Sequence, residues 1–498
     1  MHRSIRIFLV GCLFFKFSYS LGKFFFGEVY NLENQEVDFN STSKPFKIIS
    51  DPNDLATKNC KYTFAVPRNF VPRVMSLNIN LTGENKITMK QYSEFGGTMT
   101  YDITTAGQYN LAPVNFTIEI NLPKKTVDDT FTIAIAVYDV TPAVTGETFL
   151  VSKDVGTLID SMTIPGNSSL LQAFDDAHPK ATSYTMKVVV FTDYIILKKL
   201  LAMIHVYDGG VYKGSLDDVY TAPNRSVICS GSQFAIINTI STSTGVFTVL
   251  ISEKYEWSDT QVFVSPAPNN GADQTFTATN GATVFHEITS ELLGYANPAS
   301  YQKITFRGDG ELNVYAGCVT GTDESKRIAT ITPANAGSWD HLGIYGRCKT
   351  YVLSKGVVNW KYSNLAPTTF RHQIGQKGVI MSYDYPYPAA RNTNFRNYLI
   401  QAPDPNFKEN IIVTYEVAHM ASGVNFAITQ DIKAGTNTTK ILTPSDTTFT
   451  SVSTYQQYIV FNEPMGSDGI LVRYTVTSST SSIGALFIIC MISLLSFR

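Results

Sequence analysis

The chain of 498 residues carries 39 basic and 41 acidic side chains, a net charge of −2, and only 16% charged residues, against roughly 25% in ordinary soluble domains. Aromatic residues make up 12% (31 Phe, 27 Tyr, 3 Trp), which excludes disorder over most of the length, and the near-zero charge excludes a basic field for nucleic acid. Six cysteines in so long a chain exclude a small disulfide-packed scaffold, and the length suggests several domains of about 100–200 residues each.

The N-terminus opens with Arg3 and Arg6, then runs apolar from Ile7 to Phe17 apart from Lys16, and reaches small residues at Ser18 and Ser20. This order of features predicts a secretory signal peptide over residues 1–20, cleaved after Ser20. Beyond it, alternation with a period of two recurs along the chain and predicts amphipathic strands. Met75, Leu77, Ile79 and Leu81 are expected on one strand face, with Asn80 on the other; Val114, Phe116, Ile118 and Ile120 repeat the pattern, with Asn115 outward. Phe131-Ile133-Ile135-Val137 follows the same rule. Six Asn-x-Ser/Thr sequons stand at Asn40, Asn80, Asn115, Asn167, Asn224 and Asn437, and all six are candidate glycosylation sites.

Helical signals are few. Asn167 is expected to cap a helix over 168–177, and Thr289 or Ser290 a turn into Leu293. Ile195 to His205 is apolar, but Lys198 and Lys199 argue against a membrane span. Further alternating segments include Val246-Thr248-Leu250, Ile411-Val413-Tyr415 and Ile470-Val472-Tyr474-Val476, and Gly308-Asp309-Gly310 predicts a hairpin turn. Many short strands separated by turns predict an all-β chain of tandem β-sandwiches. The expected boundaries give domains at 21–141, 142–257, 258–366 and 367–477.

The C-terminus runs from a Ser/Thr-rich stretch into mostly apolar residues, Ile483 to Phe497, and ends at Arg498. Those fifteen residues span about 22 Å as a helix, short of the ~30 Å hydrocarbon core. The pattern predicts a GPI attachment signal over 478–498, with Ser478 as the lipidated residue, although the polar spacer is shorter than the usual ~8–12 residues. The mature protein is then expected on the external face of the plasma membrane, held through its lipid.

In an oxidising compartment the four remaining cysteines allow three pairings. Cys318 ends a predicted strand, and Gly343 and Gly346 offer a turn that returns Cys348 to it, so Cys318–Cys348 is expected. Cys60–Cys229 follows by elimination.

Several segments resemble CUB domains. Gly378-Val-Ile-Met-Ser382-Tyr-Asp-Tyr-Pro386-Tyr-Pro388, followed by Tyr398-Leu-Ile400-Gln-Ala-Pro403, is similar to the opening of such a domain, and Gly469-Ile-Leu-Val-Arg-Tyr474 to its closing strand. His205-Val-Tyr-Asp208-Gly209 with Gly245 to Ile251 is similar to the latter half of another. Cys60 to Pro67 with Phe131 to Val140 resembles the CUB-like domain of nematode secreted proteins. The resemblance implies jelly-roll sandwiches of CUB-like type and a role in surface defence against microbes. It departs from the family in two respects. Many CUB domains hold two disulfides each, yet Phe395 stands where a first Cys is expected. The acidic residues Glu416 and Asp208 fall in different units, so no calcium site is inferred.

Motifs of catalysis are missing from the sequence. His286-Glu287 is not followed by a second His at metal-binding spacing, and no Gly-x-Ser-x-Gly elbow or phosphate-binding loop occurs. Asp175-Asp176 and Asp217-Asp218 are adjacent and, on a strand, point apart, which is unsuited to a carboxylate pair. No catalytic, metal-binding or cofactor-binding residue is therefore assigned. The expected function is non-catalytic recognition or adhesion, with extracellular protein or glycan ligands and no nucleic acid. The alternative is a secreted hydrolase or protease with CUB-type accessory domains.

Overall fold

The computed structural model describes residues 29–479, apart from the longer stretches 39–45, 140–146, 174–182, 239–245, 254–260, 290–298, 364–370 and 431–437 and some shorter loop positions. The segment expected to be a signal peptide, the tail after Ser479, and Asn40, Asn167, Asn224 and Asn437 lie outside the described residues, as do Asp175, Asp176 and the turn expected at Leu293.

Strand formation follows side-chain alternation most plainly at Phe116–Leu122. Phe116, Ile118, Ile120 and Leu122 are buried there, and the residues between them are partly exposed. Each such burial contributes about 1.5–3 kcal/mol. Strands of this kind form eight sheets, packed as four two-sheet sandwiches over residues 29–139, 147–253, 261–363 and 377–478. The chain is a tandem array of β-sandwiches.

One topology recurs in all four. Strands of the second and third sandwiches can be counted from first to ninth. One sheet then takes the order first, third, eighth, fifth, sixth, and the other second, ninth, fourth, seventh. The first sandwich has this arrangement from Gln35–Asp38 onward, with Val29–Tyr30 added at an edge. The fourth has it without a first strand among the described residues. In each of the first three sandwiches the first strand runs parallel to the third, as Gln261–Pro266 does beside Thr283–Ile288. Apart from Val29–Tyr30, the remaining pairings are antiparallel.

The sandwiches also bury surface against each other. Phe247–Glu253 is buried almost throughout, because its outer face packs on the third sandwich: Leu250 meets Ile288, Cys318 and Cys348. The first sandwich lays the turn after Lys86–Ser93 on the second, with Phe95 packed against its core and the Phe95 N–H bonded to the Lys213 carbonyl at 2.9 Å. The third and fourth share one continuous hydrophobic cluster.

Several expectations need correction. Ser168–Gln172 is a strand, not a helix; Ser169, Leu170 and their neighbours pair with Phe234–Asn238, and sheet pairing overrides the weak cap signal. The apolar run from Ile195 holds a helix, α1 (Tyr194–Leu201), capped by the Asp193 carboxylate on the Ile195 N–H, and it buries Leu197 and Leu201 on one face. Asp217 and Asp218 lie on a second helix, α2 (Leu216–Thr221), where Ser215 and Asp218 form a reciprocal capping box. Gly308-Asp309-Gly310 does not close a hairpin: Ala299–Arg307 and Leu312–Ala316, on either side of it, belong to opposite sheets. In Phe70–Asn80 the pairing slips between Asn78 and Ser76, so Leu77 is 48% exposed while Val74 and Ser76 turn inward. This bulge breaks the expected Met75-Leu77-Ile79 face, and Asn80 is exposed all the same.

Candidate functional site

A broad concavity lies where the second, third and fourth sandwiches meet, and it begins with glycines. Gly156 precedes the strand Thr157–Asp160, and its N–H donates to the Cys318 carbonyl at 2.8 Å. A Cβ there would lie 2.5 Å from the Leu250 side chain, which would have to shift to admit it. Beside it, Val155 bridges Val319, and the Thr320 N–H donates to the Asp154 carbonyl at 3.1 Å. Gly317, at φ +82°, faces Pro386, which a Cβ would meet at 2.6 Å.

Cys318 and Cys348 are joined as a disulfide with Cα atoms 5.3 Å apart, both buried under this junction. The other expected bridge is not made. Cys60 is a buried thiol in the core of the first sandwich, whereas Cys229 ends a strand of the second that pairs with Tyr184. Elimination failed because a small apolar thiol serves as core filler.

Tyrosines from the segment Tyr383–Pro388 tie the third wall in place. The Tyr387 hydroxyl donates to the Gly156 carbonyl at 3.0 Å and accepts from the Cys318 N–H at 3.2 Å, so one phenol touches two other sandwiches. Tyr385 donates to the Ser325 carbonyl at 2.9 Å, and burial pushes its phenol well above the ordinary value. Between these walls is a cleft of about 590 Å³, inside the ~300–1,000 Å³ range of ligand sites.

The chemistry of its lining is mixed. Leu150 and Leu158 give it apolar area, and the Tyr385 ring lies 5.0 Å from that of His419, tilted by 33°. Burial lowers the His419 pKa, partly offset by the nearby Asp468 charge. Lys326 is held by Asp323 and Arg347 by Asp160, while Asp154 and Asp468 stand exposed at the rim. The Ser325 hydroxyl donates to Asp323 at 2.6 Å rather than to a histidine. A second, polar cleft of about 460 Å³ separates the third and fourth sandwiches and is lined by Asp340, His341, Arg371, Gln373 and Gln376.

Asn80 and Asn115 are both exposed, with Asn80 Nδ2 on the Asp128 carbonyl at 2.8 Å and Asn115 Oδ1 accepting from the Val66 N–H at 2.9 Å. Glu416 pairs with Arg473 on the surface of the fourth sandwich, and Asp208 is buried in the second, so they do not meet. Ser478 ends the last strand, opposite Ile411. His286, Cys318 and Cys348 cluster tightly enough for a metal, but both sulfurs are already bonded to each other. Asp154, Tyr385, Tyr387, His419 and Asp468 carried no site expectation. The one legible signal was the Tyr-Asp-Tyr-Pro-Tyr-Pro run, whose rings and prolines form a wall of the cleft.

No protein-family model matches the chain, and no curated protein sequence matches it. Among solved structures it is similar to the CUB1-EGF-CUB2 domains of rat MASP-1, at 8% identity and a TM-score of 0.19, covering 44% of this chain and all of that one. The CUB1-EGF-CUB2 domain of human MASP-1/3 gives 9% identity and 0.16 over 42% of this chain and 98% of that one. The full extracellular region of zebrafish Gpr126/Adgrg6 gives 10% identity and 0.19, over 91% of this chain and 54% of that one. These structural neighbours include CUB domains, but at such TM-scores the likeness carries no argument; the sandwich architecture rests on the strand pairing. Among the described residues no helix is long and apolar enough to cross a membrane.

Proposed function

We propose that the chain is a non-catalytic recognition glycoprotein of four CUB-like sandwiches, displayed outside the cell, and that the junction cleft binds an extracellular glycan or peptide. The observation that carries this reading is the construction of the cleft. Three sandwiches converge on it through Tyr387, Gly156 and Gly317, and its rim presents the exposed carboxylates of Asp154 and Asp468. The partly exposed Tyr387 ring supplies stacking area for sugar or peptide, and the carboxylates accept hydrogen bonds from hydroxyl, amide or ammonium donors. The buried disulfide fits an oxidising compartment. Defence against microbes is the role that the CUB-like resemblance suggests for such a surface.

Purified ectodomain applied to a glycan array and to intact bacteria tests the reading. Binding is expected, and Asp154→Asn with Asp468→Asn should weaken it about tenfold, the loss of one to two charge-assisted hydrogen bonds. Binding that is absent, or indifferent to both substitutions, removes the cleft as the site. Hydrolysis of a bound glycan or peptide would favour the enzyme alternative instead.

A further inference from the structure

The core of the third sandwich pairs an acid with a lysine, where the first two sandwiches place apolar residues and the fourth places Ile400 opposite the neutral Gln457. Glu287 and Lys349 are direct cross-strand partners on Thr283–Ile288 and Cys348–Leu353, and their side chains are 1% and 3% exposed. On the corresponding third and eighth strands, the first sandwich pairs Cys60 with Ile120 and Tyr62 with Ile118, and the second pairs Leu170 with Ile236. Apolar pairs there cost nothing to desolvate, whereas a buried ion pair is commonly no more stable than its hydrophobic replacement. Stability alone therefore does not account for the substitution.

The geometry around the pair is that of a condensation site. Lys349 Nζ lies 3.2 Å from Glu287 Oε1, so the nitrogen is in direct contact with the carboxyl group it would attack. The Tyr301 and Tyr351 hydroxyls each reach Glu287 carboxylate oxygens at 3.3 Å and also contact each other. Trp360, with Tyr301 and Tyr351 packed around it, helps close the site from water. We propose that Lys349 and Glu287 condense into an intramolecular isopeptide bond that staples the third and eighth strands of this sandwich.

The step balances without a co-reactant. A proton passes from the ammonium to the carboxylate, leaving an amine against a carboxylic acid. The Lys349 nitrogen lone pair then attacks Glu287 Cδ, and the Tyr301 and Tyr351 hydroxyls donate to the oxygen on which negative charge develops. The C–N bond forms, one C–O bond breaks, and the departing oxygen leaves as water with the two protons lost by nitrogen. Burial and the charge of Glu287 push both phenols well above their ordinary values, so they keep their protons as donors. The staple would sit one residue from the Cys318–Cys348 disulfide, beneath the junction of three sandwiches.

The test uses the full secreted chain, folded, then reduced and alkylated so that the disulfide no longer links peptides. Tryptic mapping should recover a branched peptide joining the segment of Glu287 to that of Lys349. It should weigh one water less than its two parts and show no cleavage after Lys349. Lys349→Arg keeps the charge but lacks a competent nucleophile, and it should yield only linear peptides. Tyr351→Phe should slow the appearance of the branched peptide by about 10²-fold, the usual loss on removing one oxyanion donor. Recovery of both peptides unlinked from the folded wild-type chain overturns the proposal, whatever the variants do.

Discussion

Asp160 on the second sandwich and Arg347 on the third form an ion pair whose side chains are only 7% and 16% exposed. The other oxygen of Asp160 takes the Thr248 hydroxyl at 2.6 Å, so the carboxylate is satisfied only while both partners are in place. Removing one member of a buried pair strands the other charge, at a cost of about 3–5 kcal/mol. Arg347→Met should therefore lower the denaturant midpoint markedly. Asp160→Asn should cost much less in the Arg347→Met background than alone, which a double-mutant cycle in urea would read. A fully additive cycle would show that the two residues are not coupled.

The response to pH is set by opposing buried groups. Burial lowers His205 and His286 to about 3 and His372 to about 4, from an ordinary value of 6.5; the charge of Lys187 assists at His286, and that of His341 at His372. These folded-state values lie below the unfolded one, so the unfolded chain binds more protons and stability is lost as pH falls below 6.5. Glu463 opposes them. Burial and the nearby Asp384 charge raise it to about 7 from 4.5, against the lowering effect of a Ser382 hydrogen bond, so its contribution is present at acid pH and lost as pH rises towards 7. At pH 4.5 three histidines withdraw roughly 8 kcal/mol while one glutamate returns about 3, so the histidines prevail. Thermal melts should fall steeply below pH 6. Glu463→Gln should raise the melting temperature at pH 8 and leave it nearly unchanged at pH 4.5; equal effects at both would contradict the assignment.

Much of this architecture was legible in single strands. Phe116 to Leu122 and Ile470 to Val476 announce their buried faces by alternation. What stayed hidden depends on partners distant in the chain. The continuous burial of Phe247–Glu253 comes from the third sandwich lying on its outer face, not from its own pattern. The bulge at Leu77 is set by the register of Thr132 and Ile133 on the neighbouring strand. The cleft takes Asp154, Tyr387 and Asp468 from positions spread over more than three hundred residues, and no local spacing encodes that meeting. Glu287 stood in plain view beside His286, but a motif search for a second histidine could not disclose its lysine partner on another strand.

Asn80, at the end of Phe70–Asn80, and Asn115, just before Phe116–Leu122, should both carry glycans, because each is exposed. At Asn115 the backbone bond uses Oδ1, whereas the sugar attaches through Nδ2, so the two are compatible. Thr117→Ala should delete the Asn115 glycan and preserve the bond to Val66. Asn115→Ala should lose both and cost about 1 kcal/mol more. Glycosidase-sensitive gel shifts combined with melting curves would separate these effects. A shift unchanged by Thr117→Ala would mean that Asn115 is not modified.

The anchor prediction turns on the final strand. Ile470, Leu471, Val472, Tyr474 and Val476 are all nearly inaccessible, and Ser478 closes the same strand with the Ser479 N–H on the Asn410 carbonyl at 3.2 Å. Lipid attachment upstream at Ser467 would lengthen the spacer but remove this strand, exposing the core of the fourth sandwich and deleting Asp468 from the cleft. Attachment at Ser478 retains the whole sheet. Phosphatidylinositol-specific phospholipase C should therefore release the protein from cells with its binding activity intact, and an epitope tag placed after Phe497 should be absent from the mature chain. A retained helix of fifteen apolar residues would instead have to thin the bilayer to bridge it. Protein that stays membrane-bound after the phospholipase, with its tag preserved, would establish that alternative and exclude the lipid.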